Sequence, residues 1–385
     1  MAKPRRRGNL EGRSVVGRSR AGGLSEVELN RYARQVVLAD IGVEGQERIR
    51  RASVLVAGAG GLGTPILMQM AAMGVGRIKL IDRDVVSVTD LHRQYLYDES
   101  DAGMPKAEVA RSKLKKMNPA VDVEALSETI TYDGLLGQLE GVDVVLDGLD
   151  AMGPRYMLNR AAQRRGVPYV FSSAVEMFGN VSTILPGRTP CLECFYGGLE
   201  DDALPKCAVV GVHPSVLGTV ASISVSEAVK LIVGRPPSLA SKLLFVDLRS
   251  LSFDLVSLSK NRACPVCGEG EPQPEPKVRT IEQACARDGS GTYFVNPRRR
   301  LDLDLRKVDI YARRMGYILK ARGRAMRSVK VDDIYEFTIL KSGVGVFKVR
   351  KAVPDIDGAR RRIGEIFRGL VEEGLGVGWK DSYEG

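Results

Sequence analysis

The stretch SVLVAGAGGLGTPILMQMAAMGVGRIKLID, Ser53 to Asp82, decides the fold. Ser53–Ala57 is a short apolar run of the kind that forms a buried parallel strand. Gly58, Gly60 and Gly63 then spell G-x-G-x-x-G, and Thr64-Pro65 opens a helix reaching about Met73. Proline suits a first helical turn, where its missing N–H is no loss. Gly74 and Gly76 close the helix, and Arg77–Ile81 reads as a second strand ending at Asp82. Glycines at such a turn let the backbone approach a phosphate, while the helix N-terminus offers unpaired N–H groups and the positive end of its dipole. Asp82 lies 19 residues past Gly63, where an acid is placed to accept the hydroxyls of a ribose. Ser53–Gly76 carries no charge, but its six glycines and one proline argue for strand, loop and buried helix rather than a membrane span.

Outward from this unit the same alternation repeats. On the N-terminal side, Leu24–Asp40 reads as one amphipathic helix with Ser25 and Glu28 as a capping box and Arg31, Arg34 and Gln35 on its polar side. On the C-terminal side comes a polar loop with Asp84, Asp90, Arg93 and Gln94, then Gly103-Met-Pro-Lys106 opening a helix to Met117. Strands follow at Val121–Ala125, Val142–Asp147 and Tyr169–Ser172, with a helix through Arg155 and Asn159 between the last two. This pattern predicts an α/β fold, a Rossmann-like doubly wound and mostly parallel sheet with helices on both faces. Ligands of such sheets sit past the carboxyl ends of the strands. The glycine loop, Asp82, Arg93, Lys106 and Asp150 of the DGLD stretch (147–150) all fall there. Arginine and lysine neutralise phosphates and a neighbouring carboxylate holds Mg²⁺, whereas hydride transfer needs no such cluster of cations.

The 385 residues, 44% hydrophobic and 27% charged, are those of a globular chain with ample core. No apolar signal-peptide core stands near the N-terminus and no convincing membrane span elsewhere, which predicts a cytoplasmic protein without membrane attachment. Of the net charge of +10, +6 lies in residues 1–23, a Gly/Arg-rich tail expected to be disordered; the rest is only mildly basic. Nucleic-acid binding is therefore expected only weakly, through that tail. Cys191-Leu-Glu-Cys194 and Cys264-Pro-Val-Cys267 are two C-x-x-C pairs, read as one closed, structural Cys₄ zinc site with a redox dithiol as the competing reading. Cys207 and Cys285 are left over, Cys207 in a Pro/Gly-rich loop ahead of the helix Gly218–Val233.

RYARQ (31–35), AGAGGLG (57–63), D-x-D-x-V (82–86), LHRQ (91–94), G-x-x-K (103–106), DGLD, both cysteine pairs and CAVVGV…SEAVKLIVG (207–234) occur in this order. Over residues 24–268 the chain closely resembles the MoeB/ThiF family of ubiquitin-activating-like adenylyltransferases. The resemblance implies an adenylyltransferase that uses Mg-ATP to adenylate the C-terminal glycine of a ubiquitin-like sulfur-carrier protein and releases pyrophosphate. It implies that Gly58, Gly60, Gly61, Gly63, Asp82, Asp84 and Gln94 line the ATP site, that Arg93 and Lys106 grip phosphates, and that Asp150 holds Mg²⁺. Arg34 resembles an arginine that enters the neighbouring subunit's site, which implies a homodimer. Cys207 aligns with a cysteine that forms a thioester or acyl-disulfide in some members, with a sulfur-donor protein as a further partner. The carrier's pathway is open among molybdopterin, thiamine and tRNA thiolation and protein tagging.

Three departures stand out. Thr89-Asp90 replaces the usual Ser-Asn, and a carboxylate there is awkward near phosphates unless a cation or Mg²⁺ faces it. Ala151 follows Asp150 where asparagine is common, and Ala-Val-Val-Gly follows Cys207, with His213 close behind. The readings to be excluded are a relative that adenylates tRNA, an NAD-dependent oxidoreductase and a non-enzymatic zinc-stapled scaffold. Beyond a Pro/Glu-rich linker at 269–280, residues 281–385 read as a small α+β domain of order βαββα, with a helix at Leu305–Lys320 and a hairpin turning at Ser342-Gly343. It contains no rhodanese-type cysteine loop, and docking of a carrier or acceptor is its expected role.

Overall fold

The computed structural model describes residues 23–201, 210–287, 290–350 and 356–384. The basic tail up to residue 22, and Cys207 with its loop, lie outside the described residues. An eight-stranded sheet runs in the order β3-β2-β1-β4-β5-β6-β7-β8, where β1 is Ser53–Ala57, β2 Arg77–Ile81, β3 Asp122–Leu126 and β4 Val144–Asp147. β5 is Tyr169–Val175, β6 Phe178–Ile184, β7 Lys242–Asp247 and β8 Ser252–Ser257. Strands β3, β2, β1, β4 and β5 are parallel to one another, and β6 to β8 extend the sheet antiparallel. The antiparallel extension has no counterpart among the strands expected from sequence.

Alternate residues of β1 feed two cores. Val54 and Val56 pack with Ile66, Leu67 and Met70 of the helix Gly63–Met73 and with Val216 and Val220 of the helix Pro214–Val233. Leu55 and Ala57 face Leu158 and Ala161 of the helix Met152–Arg165. Each fully buried Leu or Val contributes about 1.5–3 kcal/mol, so layers on both faces follow from an uninterrupted apolar strand. Pro214–Val233 is long and apolar enough to cross a bilayer, but Val216, Val220, Ala221 and Ala228 are buried within this core. Parallel neighbours on either side of β1 leave a crevice between the ends of β1 and β4, where a doubly wound sheet switches direction.

The expected helix 24–40 is broken. Ser25 and Glu28 form the capping box, but the helix ends at Arg31 and resumes as Ala33–Val36. Tyr32, between them, is buried; its hydroxyl accepts from Asn118 Nδ2 at 2.9 Å and seats beside Gly74. Gly74 adopts φ +83°, and a Cβ there would lie 2.3 Å from the Tyr32 hydroxyl.

The C-terminal residues build a six-stranded sheet, β11-β12-β13-β14-β10-β9: β9 is Ile281–Arg287, β10 Ser290–Val295, β11 Ile318–Arg322, β12 Met326–Lys330, β13 Tyr335–Leu340 and β14 Gly345–Val349. The hairpin at Ser342-Gly343 is present, joining β13 to β14. The helix expected over Leu305–Lys320 stops at Arg314, because Gly316 turns at φ +71° and Ile318–Arg322 pairs with β12 instead. The order is therefore ββαββββαα rather than βαββα. Residues 271–279 carry neither helix nor strand, yet the stretch is tied down: Arg160 donates to the carbonyl of Pro274 at 2.8 Å and pairs with Glu275 at 3.6 Å.

Candidate active site

Two glycine contacts bring the loops after β1 and β4 together. Gly58 has φ +91°, and a Cβ there would meet the Gly148 carbonyl oxygen at 2.5 Å; a Cβ on Gly63 would meet that of Gly58 at 2.0 Å. The DGLD stretch therefore lies directly against the glycine turn, and Gly148 itself has no room for a side chain. Gly61 packs against Leu217, while Gly60 faces the amide of Gln94, 3.9 Å from where its Cβ would be. Gln94 is buried, and its Oε1 has no hydrogen-bond partner among the described residues.

From the glycine turn an unbroken chain of polar contacts leads to Arg93. The Ala59 N–H donates to Asp82 Oδ2 at 2.7 Å, and the Asp84 N–H donates to Asp82 Oδ1 at 2.7 Å. Lys106 Nζ donates to Asp84 Oδ2 at 2.6 Å and lies 3.2 Å from Asp90 Oδ2. Arg93 donates to Asp90 Oδ1 and to the Thr89 carbonyl, each at 2.9 Å. Asp90, fully buried, thus faces two cations, which answers why a carboxylate is tolerated where asparagine is usual. Burial opposes the charge on Lys106, but Asp84, Asp90 and Asp82 outweigh it and hold the ammonium above its ordinary pKa. Burial pushes the Asp82 carboxyl up, with Lys106 opposing.

Of the expected residues, the structure brings Gly58, Gly60, Gly61, Gly63, Asp82, Asp84, Arg93, Gln94 and Lys106 into one cluster, with Asp150 exposed on the adjoining loop. Arg34 is exposed on the helix Ala33–Val36, and no ion-pair partner for it appears among the described residues. His213 caps the helix Pro214–Val233, its Nδ1 accepting the Ser215 N–H at 3.2 Å.

Sequence reasoning missed three residues. Tyr97 is buried behind the cations and donates to the Ala59 carbonyl at 2.9 Å; burial, with Asp82 and Asp84 nearby, holds its phenol well above the ordinary pKa. Arg155, under the DGLD loop, donates to Asp147 at 3.1 Å and to the carbonyls of Leu149 and Ser172 at 2.6 and 2.9 Å. Arg83 leaves the site toward the C-terminal sheet. A basic residue between two aspartates was the one available signal for it.

The second cluster lies on the face opposite the Pro214–Val233 helix. The sulfurs of Cys191, Cys194, Cys264 and Cys267 all lie within 4.8 Å of one another, with Cys191–Cys264 at 3.6 Å and Cys194–Cys267 at 3.3 Å. None is in a disulfide. Burial pushes the Cys191 thiol up and takes that of Cys267 to about 11, a cost that a bound cation reverses.

A model of the ThiF family matches residues 32–266, well over half of the sequence. The chain belongs to the ThiF family. A sulfur carrier protein adenylyltransferase of Thermus thermophilus is 41% identical over 254 residues, 64% of this chain and 94% of that protein. A SAMP-activating enzyme E1 of Haloferax volcanii is 37% identical over 248 residues, 64% and 92% of the two chains. Among solved structures, E. coli MccB with ATP superposes with a TM-score of 0.55 at 25% identity, covering 62% of this chain and 74% of that one. The ThiF match ends before the C-terminal sheet begins.

Proposed function

We propose that this chain is an ATP-dependent adenylyltransferase that activates the C-terminal glycine carboxylate of a ubiquitin-like sulfur-carrier protein and releases pyrophosphate. One observation carries the reading: in a ThiF-family chain, the polar contacts run unbroken from the glycine turn through Asp82, Asp84, Lys106 and Asp90 to Arg93, with an exposed aspartate on the loop packed against that turn. Gly58, Gly60, Gly61 and Gly63 shape the turn, with Gln94 behind it. Asp82 is the candidate partner of the ribose hydroxyls. Lys106 has three N–H donors and two carboxylate neighbours, so a donor remains for a phosphate oxygen. Arg93, fixed on Asp90, adds a second positive charge. The attacking carboxylate must approach the α-phosphorus against its own charge, and fixed cations lower that barrier without reorganising.

Asp150 fits a Mg²⁺ ligand. It is exposed beside the turn, and Mg²⁺ is held by one or two carboxylates together with substrate phosphates. The ion would neutralise phosphate charge there. Asp147 does not fit that role, since Arg155, Tyr169 and the Leu149 N–H already occupy its oxygens. The cysteine cluster fits Zn²⁺: Zn–S bonds of about 2.3 Å in a tetrahedron set sulfurs about 3.8 Å apart, near the 3.3 and 3.6 Å found. Such an ion would tie the segment after β6 to the segment before the C-terminal sheet. The exposed Arg34 serves the partner subunit's site in a homodimer. The Cys207 thiolate attacks the acyl-adenylate to form a thioester, with AMP as the leaving group; the acyl-disulfide instead requires a sulfur-donor protein to place a sulfane sulfur on Cys207 first, and the resulting persulfide then displaces AMP. Residues 24–268 form the adenylation domain, 269–280 the connection and 281–385 the accessory domain of a cytoplasmic enzyme.

Pyrophosphate exchange tests the reading. With Mg-ATP and diglycine-ended proteins from the same source, one carrier is expected to stimulate exchange and to gain the mass of AMP. Asp150→Ala and Arg93→Ala should each lower exchange by about 10²-fold or more; near-native exchange in both removes the assignment. Binding of NAD but not Mg-ATP would overturn the function. Cys207→Ser should still form adenylate while acyl transfer fails. Chelation or Cys264→Ser should release one zinc per chain, read by atomic absorption.

A further inference from the structure

Arg83 stands between Asp82 and Asp84 but turns its guanidinium away from them, onto the C-terminal sheet. Its Nη1 donates to Glu282 Oε2 of β9 at 2.8 Å and to Asn296 Oδ1 at 3.1 Å, and its guanidinium carbon lies 4.2 Å from the centroid of the Phe294 ring of β10. Asn296 is buried and also accepts from Thr129 Oγ1 at 2.8 Å, in the loop after β3. Two residues on, Val85 is buried in a small apolar cluster whose other members, Phe294, Met326, Leu340, Val344 and Val346, all come from the C-terminal residues. Ser342 donates to the Ser127 carbonyl in the same region. The C-terminal sheet therefore grips the loops after β2 and β3 from outside, while the nucleotide cluster uses the same β2 loop from inside.

The two sides share one short piece of backbone. Both oxygens of Asp82 are held by N–H groups, one from the glycine turn and one from Asp84, and Asp84 is the short partner of Lys106. Burial acts against the charge on Arg83, but Glu282, with Asp150 and Asp84 further off, outweighs it and keeps the group firmly protonated. A planar guanidinium that donates from Nη1 to two acceptors while stacking on an aromatic ring is fixed in orientation in a way that a flexible ammonium is not.

We propose that Arg83 is a positioning residue through which the C-terminal sheet sets the geometry of the Asp82–Asp84 segment, making that sheet part of the nucleotide site. This rests on the adenylation reading above. Arg83 holds the strand-end loop in the register at which Asp82 meets the glycine turn and Asp84 meets Lys106. Slippage of this loop by about an ångström would lose both contacts, a displacement that costs up to about 10²-fold in enzymes that depend on alignment.

The test is direct titration of Mg-ATP into the full-length protein, with steady-state kinetics on the stimulating carrier. Arg83→Ala is expected to weaken Mg-ATP binding by about tenfold and to leave the KM for carrier within twofold, with Arg83→Lys recovering part of the loss. Glu282→Gln, which keeps the shape and removes the charge, should weaken Mg-ATP binding in the same direction by a smaller factor. It carries the test if Arg83→Ala does not fold. Mg-ATP binding within twofold of wild type in both variants overturns the proposal, as does an equal rise in both KM values. Absence of Mg-ATP binding to the wild-type protein would instead overturn the functional reading, so the two failures are distinguishable.

Discussion

Two clusters of charge sit side by side at the carboxyl edge of the parallel strands, and they are built to opposite rules. Around Asp147 both carboxylate oxygens are occupied: Tyr169 donates at 2.6 Å, Arg155 Nε at 3.1 Å and the Leu149 N–H at 2.9 Å, while Arg155 turns Nη2 to two carbonyls and Nη1 to the Met152 sulfur. That cluster is buried and holds the DGLD loop in shape. Around Lys106 the same ingredients are arranged as a line, Asp82, Asp84, Lys106, Asp90, Arg93, that starts at the glycine turn and ends at a partly exposed guanidinium. A closed buried ion pair serves folding, since removing one partner strands the other in a medium that solvates it poorly. An open line of fixed charge serves a ligand that brings its own counter-charge.

Asp147 and Asp150 give the sharpest contrast, three residues apart in one loop. Asp147→Ala is expected to cost about 3–5 kcal/mol in a urea titration, because Arg155 would be left buried without its carboxylate. Asp150→Ala, at an exposed site, should stay within about 0.5 kcal/mol of wild type, while pyrophosphate exchange falls by about 10²-fold. Equal losses of stability in the two variants would break the distinction. Asp90→Asn is the intermediate case, because Asp90 is as buried as Asp147 but belongs to the open line. The amide keeps the oxygen facing Arg93 and removes one negative charge between two cations. A loss of about tenfold in kcat/KM for ATP is expected, with a smaller loss of stability than in Asp147→Ala. A loss of stability as large as that of Asp147→Ala would move Asp90 into the closed class.

The sequence made the open line partly legible and the closed cluster scarcely at all. Strand, glycine turn and helix follow from a local pattern in which each residue's reason is close at hand, so the central βαβ unit matches within a residue or so. Helix ends that depend on one glycine are harder. Leu305–Lys320 keeps an amphipathic period past Gly316, yet the chain turns there and Ile318–Arg322 becomes a strand because β12 is available to pair with it. Of the antiparallel strands β6 to β8, the last is an edge strand with Phe253 and Leu255 exposed, so no buried face marks it. In the site, Asp147 and Asp150 are the same residue type at one strand end, and the contacts of Asp147 to Arg155 and Tyr169, 8 and 22 residues away, separate them. Arg83 and Glu282 are 199 residues apart, a pairing that composition and spacing do not encode. Local chemistry was readable, but the identity of a charge's partner was not.

Glu227 extends the comparison to the opposite face and supplies its smallest test. This carboxylate, on the Pro214–Val233 helix, is closed in the manner of Asp147: Thr183 Oγ1 donates at 2.9 Å, the Leu239 and Ser238 N–H groups at 2.8 and 3.1 Å, and Lys230 Nζ at 2.5 Å. Burial raises its pKa, but Lys230 and the three neutral donors outweigh that, and the folded carboxyl titrates below its ordinary value. A depressed folded-state pKa means that the unfolded chain binds the proton more readily. The carboxylate's contribution is therefore fully present above the unfolded pKa of about 4.3 and disappears as pH falls through the folded value. Glu227→Gln keeps one acceptor and turns an NH₂ group toward donors, so about 1–2 kcal/mol should be lost at pH 7. The gap between wild type and variant should narrow steadily below about pH 4. Urea midpoints for the pair at pH 7, 5 and 3.5 read this directly. A gap that stays constant across that range would show that Glu227 holds the β7 end by shape alone, and that its charge does not stabilise the fold.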